Sequence, residues 1–235
     1  MRRRTEWRAA ILLLIIACKP VAPSKPAARV ATIRATVITI RTTLEPSKKT
    51  YTHEIVIVGN RARSTGENDT WRVFDVAHDR VTFVDDIAKT FRVEPLASIV
   101  KKRREAMRAP IAEHIPRATF AATTDVRTIQ GVQAKRYVVS VGKYERQLWI
   151  GEHKLIPKNL FAMMQASDPP STPLAPMMRE ADDALTAIRG FPLLEHAEVP
   201  YGNAKMVLDR AVIAIAQRDM PRALLDVPRG YREIQ

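Results

Sequence analysis

Three carboxylate–imidazole dipeptides are the first residues in this chain whose types invite a chemical reading: Glu113-His114, Glu152-His153 and Glu195-His196, with Glu198 shortly after the last. A Glu beside a His can hold a metal ion or move a proton, provided both side chains reach one point. Neighbours in a strand point to opposite faces, so such a pair does not close on one ion. The three pairs therefore read as loop and strand-end residues. Asp85-Asp86 and Asp182-Asp183 are adjacent rather than facing, and read as a turn and a solvated helix face. No Gly-x-Ser-x-Gly elbow, Walker loop, Gly-x-Gly-x-x-Gly or His-Glu-x-x-His occurs. The expectation is a non-enzymatic protein with no catalytic residue, no metal and no cofactor.

One thiol remains. Cys18 is the single cysteine, so no intramolecular disulfide can form and the fold rests on its core. It closes an apolar run from Ile11 that follows Arg2, Arg3, Arg4 and Arg8. About eight apolar positions are far short of the ~20 a membrane-spanning helix needs, and a basic head before a short apolar segment is an export signal. Ile15, Ile16, Ala17 and Cys18 resemble the lipobox of bacterial lipoproteins. That resemblance implies cleavage after Ala17 and conversion of the Cys18 thiol to a diacylglyceryl thioether, with acyl chains that anchor the protein to a membrane. Lys19 stands where enteric bacteria place an inner-membrane retention Asp. The expected location is therefore the cell envelope, lipid-anchored at the periplasmic face of the outer membrane.

Loss of residues 1–17 removes four Arg and one Glu, so the formal charge of +13 becomes +10. In an envelope protein this basic balance points to phospholipid headgroups or other envelope polyanions as partners, and away from nucleic acid. Residues 18–28, with three prolines after Cys18, read as an extended tether. Residues 29–235 are long enough for one large domain.

Within that domain, strands are expected over Val30–Leu44, Tyr51–Val58, Arg61–Ser64, Thr70–Val76, Arg80–Asp85 and Lys89–Glu94, joined by short turns as an antiparallel meander. Apolar residues occupy both sides of the first strand. Leu96, Ile99, Val100 and Met107 then fall at helical spacing with Lys101, Lys102, Arg103 and Arg104 between them. This basic run reads either as a solvated face or as a dock for an anionic membrane. Strands return over Asp125–Ile129, Gln133–Val141 and Tyr144–Gly151. Helices are expected over Lys158–Gln165 and Leu174–Arg189, the second ended by Gly190 and Pro192. Strands Leu193–Val199 and Lys205–Ala216, a helical turn at Pro221–Leu225 and a tail complete the chain.

Ile129-Gln130-Gly131, Ala134-Lys135-Arg136-Tyr137, Gln147-Leu148-Trp149-Ile150, Gly190-Phe191-Pro192-Leu193 and Val227-Pro228-Arg229-Gly230-Tyr231, in this order, resemble a group of secreted bacterial proteins ending in a VPxGY signature. That group is similar in layout to the LolA/LolB-type lipoprotein-carrier half-barrels. The resemblance implies an α+β fold: a curved antiparallel sheet, or half-barrel, with helices packed on the concave face and an apolar cavity between.

The expected cavity-lining residues are Trp71, Trp149, Met163, Met164, Met177, Met178 and Leu185. Unbranched thioethers repack around varied acyl chains, although the same residues serve equally as core filling. The expected function is binding of a lipid, lipoprotein or other lipophilic ligand. The competing expectation is a solid-core module that meets a protein or polyanion through its basic surface.

Overall fold

A computed structural model describes residues 31–66, 68–108, 117–168, 178–201 and 204–235. The expected leader and tether, with Cys18, lie outside these residues.

The first strand, β1 (Thr32–Glu45), is organised by its β-branched residues. Ile38, Ile40 and Thr42 point to one side, Ala35 and Val37 to the other, and all five are buried. A strand buried on both faces must lie inside a sheet. It pairs antiparallel with β2 (Lys49–Val58) and with β11 (Ala204–Pro221). From β2 the meander runs outward through β3 (Arg61–Thr65), β4 (Thr70–Asp75), β5 (Arg80–Asp85) and β6 (Thr90–Pro95). From β11 it runs the other way through β10 (Phe191–Tyr201), β9 (Tyr144–Gly151), β8 (Val132–Val141) and β7 (Thr119–Ile129).

The last strand, β12 (Arg232–Glu233), lies beside β6 and runs parallel to it, with Arg232 N donating to Lys89 O and Ile234 N to Phe91 O. The result is a single twelve-stranded mixed sheet with β12 and β7 at its two edges.

This overturns the expected half-barrel. The sheet is mixed rather than antiparallel, it does not close, and the helices are not packed on a concave face. Strand accounts for 57% of the described residues and helix for 17%, which leaves too little helix to plug such a sheet. Length makes the same point. An eight-residue helix is about 12 Å long, whereas twelve strands at ~4.8 Å spacing extend over roughly 50 Å.

The three helices, α1 (Leu96–Ala106), α2 (Leu160–Ser167) and α3 (Arg179–Thr186), instead meet one another and a few nearby strands. Pro95 precedes the first turn of α1, and Arg103 and Arg104 lie in its last turn, where cations suit the helix dipole. Leu160, Phe161 and Met163 of α2 and Leu185 of α3 join Ile38, Ile55, Phe74 and Leu148 in one apolar core. Gly190 turns the chain from α3 into β10 at φ +116°, where an added Cβ would lie 2.7 Å from the Gly151 carbonyl oxygen. Only glycine fits there.

On the opposite side of the sheet, a short 3-10 turn (Arg222–Leu225) and the C-terminal tail supply the cover. Arg61 and Arg63 hold that turn by donating to the carbonyls of Leu225 and Leu224.

Candidate functional site

Strand alternation decides which polar side chains share a face with the helices. On β4, β5 and β6 these are Arg72, Phe83, Arg92 and Glu94. The register confirms it, since Arg72 lies opposite Phe83, and Phe83 opposite Arg92. Together with α1 and the end of α2 they bound a cleft of about 440 Å³. Its apolar wall is Phe83, Ile99, Ala106 and Ala166; its cations are Arg72, Arg92, Lys102 and Arg103.

Each cation is tethered. Arg72 donates to Asp168 Oδ1 at 2.6 Å and to Ser167 Oγ at 3.2 Å. Arg92 Nε and Lys102 Nζ each donate to a different oxygen of Glu94, both at 2.6 Å. Burial pushes the Glu94 carboxyl up, but the two cations outweigh it and hold it below the ordinary carboxylate range. The guanidinium of Arg92 sits 4.4 Å from the Phe83 ring centroid, within cation–π range. A second cleft shares Arg92, Glu94 and Lys102 as its wall and continues past them to Glu233 and Ile234.

Arg103 links the cleft to the interior. It pairs bidentately with Asp182 of α3 at 2.8 Å through both Nε and Nη2, and also donates to the Asp168 carbonyl. Gln165 Nε2 adds a third donor to Asp182 at 2.9 Å. The charge of Asp182 reaches Arg146 on β9, which donates to Glu195 on β10 at 2.8 Å. Arg210 on β11 donates to the other oxygen of Glu195 at 3.0 Å. Burial pushes the Glu195 carboxyl up, and the two guanidiniums together pull it below its ordinary range. The arrangement is a row of ion pairs across the face, which can hold charge in place.

The residues expected to line a cavity are distributed otherwise. Met163 and Leu185 are sealed in the core, with Met164 and Met178 packed against it. Met177 lies outside the described residues. Trp71 faces the other side of the sheet, under the tail: its Nε1 donates to Asp86 at 2.9 Å, and Tyr231 OH bonds the same oxygen at 2.9 Å. Trp149 is a buried member of the same core cluster as Leu148, with Arg127 and Arg136 at 4.6 and 5.5 Å from its ring. Among the described residues, none of those expected to line a cavity lines the 440 Å³ cleft.

Of the Glu-His pairs, Glu113-His114 lies outside the described residues. Glu152 is bound by Lys158 in a loop. Glu195 and His196 diverge as strand neighbours must, Glu195 to Arg146 and His196 to Asp209. Glu195 is a buried ion-pair centre, not an exposed strand-end residue. Alternation alone would have found it, because Leu193, Glu195 and Ala197 share the inward side and all are buried.

No family model matches the chain, and no curated protein does. Among solved structures it is similar to PNGF-II in two crystal forms, at 12% and 11% identity and TM-scores of 0.47 and 0.45. Each match covers 86% of this chain but only 31% of PNGF-II, so the chain spans about a third of that protein. It is also weakly similar to a LolA superfamily protein from Nitrosomonas europaea, at 9% identity and a TM-score of 0.27, covering 84% of this chain and 91% of the other. The expected likeness to LolA-type proteins is met at that coarse level, and no match bears on the VPxGY grouping or the leader.

Proposed function

We propose that this protein binds a lipophilic ligand without chemically changing it, and does so in the cleft between α1, α2 and β4–β6. The observation that carries the reading is the cleft's composition: an apolar wall of Phe83, Ile99, Ala106 and Ala166 in a space of about 440 Å³. That size falls within the roughly 300–1,000 Å³ of small-molecule sites. Each methylene moved from water onto that wall contributes about 0.8 kcal/mol, so a short acyl segment is enough for measurable binding. In this reading Cys18 carries the lipid anchor that holds the protein in the cell envelope.

Mass spectrometry of the protein before and after organic extraction tests the ligand, and palmitate labelling of Cys18 tests the anchor. Ala106→Trp fills the cleft from its exposed edge and is expected to abolish retention of the ligand with little effect on folding. A protein that carries no extractable lipid, and binds no alkyl probe with Ala106 intact, excludes this reading.

One observation favours a second reading, an interaction module. Leu160, Met163, Leu185 and Leu193 are each at most 1% exposed, so the interior beside the cleft is already filled by the protein's own side chains. Binding of an envelope polyanion that survives Ala106→Trp and falls steeply with salt would support this alternative.

A further inference from the structure

We infer that the cleft selects an amphiphile with a single negative charge at its head, held by Arg92 and Lys102 at the mouth while the tail lies on Phe83 and Ile99. This rests on the cleft being the lipophilic site proposed above, and adds the chemistry of the ligand's polar end.

Charge is the first ground. Among the ion pairs of the cleft, Arg72, Arg92, Lys102 and Arg103 are matched by Glu94, Asp168 and Asp182, four cations against three carboxylates, and Glu233 in the adjoining cleft is ion-paired with neither Arg92 nor Lys102. Arg72 and Arg103 each have a carboxylate to themselves, at 2.6 and 2.8 Å. The surplus therefore falls on Arg92 and Lys102, which divide Glu94 between them.

Unused donors are the second ground. Arg92 spends Nε on Glu94 and lies 4.4 Å from the Phe83 ring centroid, and neither Nη has a hydrogen-bond partner among the described residues. Lys102 spends one of three N–H donors. A guanidinium edge beside an ammonium is a strong receptor for an oxyanion.

Placement is the third. The side chains of Arg92 and Lys102 are 44% and 67% exposed, whereas Ile99 is 7% exposed. The two cations are thus more exposed than Ile99, while Ala106 stays exposed at the cleft's edge, so charge and apolar surface are offered side by side, as an amphiphile needs.

Isothermal titration of the full chain with decanoate, decanol and acetate separates head from tail. Decanoate is expected to bind at least tenfold more tightly than either of the others. Arg92→Gln with Lys102→Gln should bring decanoate down to the level of decanol and leave decanol unchanged. Glu94→Gln removes the competing carboxylate without emptying the mouth of cations, and should tighten decanoate alone.

Equal affinity for decanoate and decanol would overturn the inference and leave the lipophilic reading standing. Acetate binding as tightly as decanoate would overturn it by showing an anion site with no use for a tail. Failure of all three probes would remove the lipophilic reading itself. A Glu94→Gln variant that loses decanoate would also overturn the inference.

Discussion

Arg146 Nε donates to Glu195 Oε1 across 2.8 Å with both side chains almost fully withdrawn from water. Their positions follow from register: Glu195 lies opposite Arg210 on one neighbouring strand and opposite Leu148 on the other, where Arg146, two residues from Leu148 on the same face, reaches it diagonally. Removing one member of such a group strands the rest in a medium that solvates charge poorly. Glu195→Leu leaves two cations without their shared anion and is expected to cost about 3–5 kcal/mol. The midpoint of urea unfolding reads this directly. A loss below about 1 kcal/mol would mean that the guanidiniums find water or another partner once Glu195 is gone.

Acid should act on the same group. The Glu195 carboxyl is held below its ordinary value. A depressed carboxyl stabilises the fold fully above its unfolded pKa, near 4.3, and loses that contribution as pH falls through the lower folded value. Two histidines shift in opposite directions. Hydrogen bonding to Asp209 raises His196, so its contribution is complete below about pH 6.5 and is lost as pH rises through its higher folded value. Burial, with help from the charge of Arg210, lowers His53, so its contribution is complete above about pH 6.5 and lost on acidification. An NMR titration should therefore place His196 above His53. Asp209→Asn should pull His196 down and leave His53 where it was.

How much of this was readable in the chain depends on what each feature requires. The strands from Tyr51 to Glu94 were legible because β-branched and apolar residues alternate between short polar turns such as Gly59-Asn60. The first half of β7 was not. Thr119-Phe-Ala-Ala-Thr-Thr has no alternation to read, and a bulge between Ala122 and Val126, where Thr123 Oγ1 donates to Arg136 O, re-registers the strand. The helix at Leu96–Ala106 follows from its apolar spacing, yet nothing local says that Arg103 reaches α3 or that Lys102 meets Glu94. The cleft is tertiary in the same way. Arg72 and Arg92 look like wet strand positions until Phe83, lying between them, is seen to face α1 and α2.

The VPxGY tail acquires a structural role that its pattern did not disclose. Val227 and Tyr231 pack on the cluster of Trp71, Val73 and Val84, and Asp86 accepts from both the Trp71 indole and the Tyr231 hydroxyl. Tyr231→Phe deletes one of these bonds and should lower the urea midpoint only slightly. Asp86→Ala leaves the indole N–H of Trp71 without its acceptor and should cost more, roughly 2–3 kcal/mol. Trp71 fluorescence is the local probe. Acrylamide should quench it more readily in Asp86→Ala than in Tyr231→Phe, and the reverse order would mean that the tail is held by packing, with Asp86 a bystander.

Asp182 makes the case that α1 and α3 are joined by charge rather than by apolar packing. Arg103 and Asp182 face each other with side chains 11% exposed on both partners, and the bidentate geometry fixes their relative angle. Asp182→Leu alone buries an unpaired guanidinium; Arg103→Met alone leaves the carboxylate with Gln165 as its remaining donor. The double variant removes both charges and should be more stable than the sum of the two losses implies. A coupling energy of at least about 1.5 kcal/mol in a double-mutant cycle is the expected result. Hydrogen exchange should rise in α1 and α3 in either single variant and return toward the parent in the double. Additive losses would show that the pair contributes no specific coupling, and that α2, which touches both helices, holds them together.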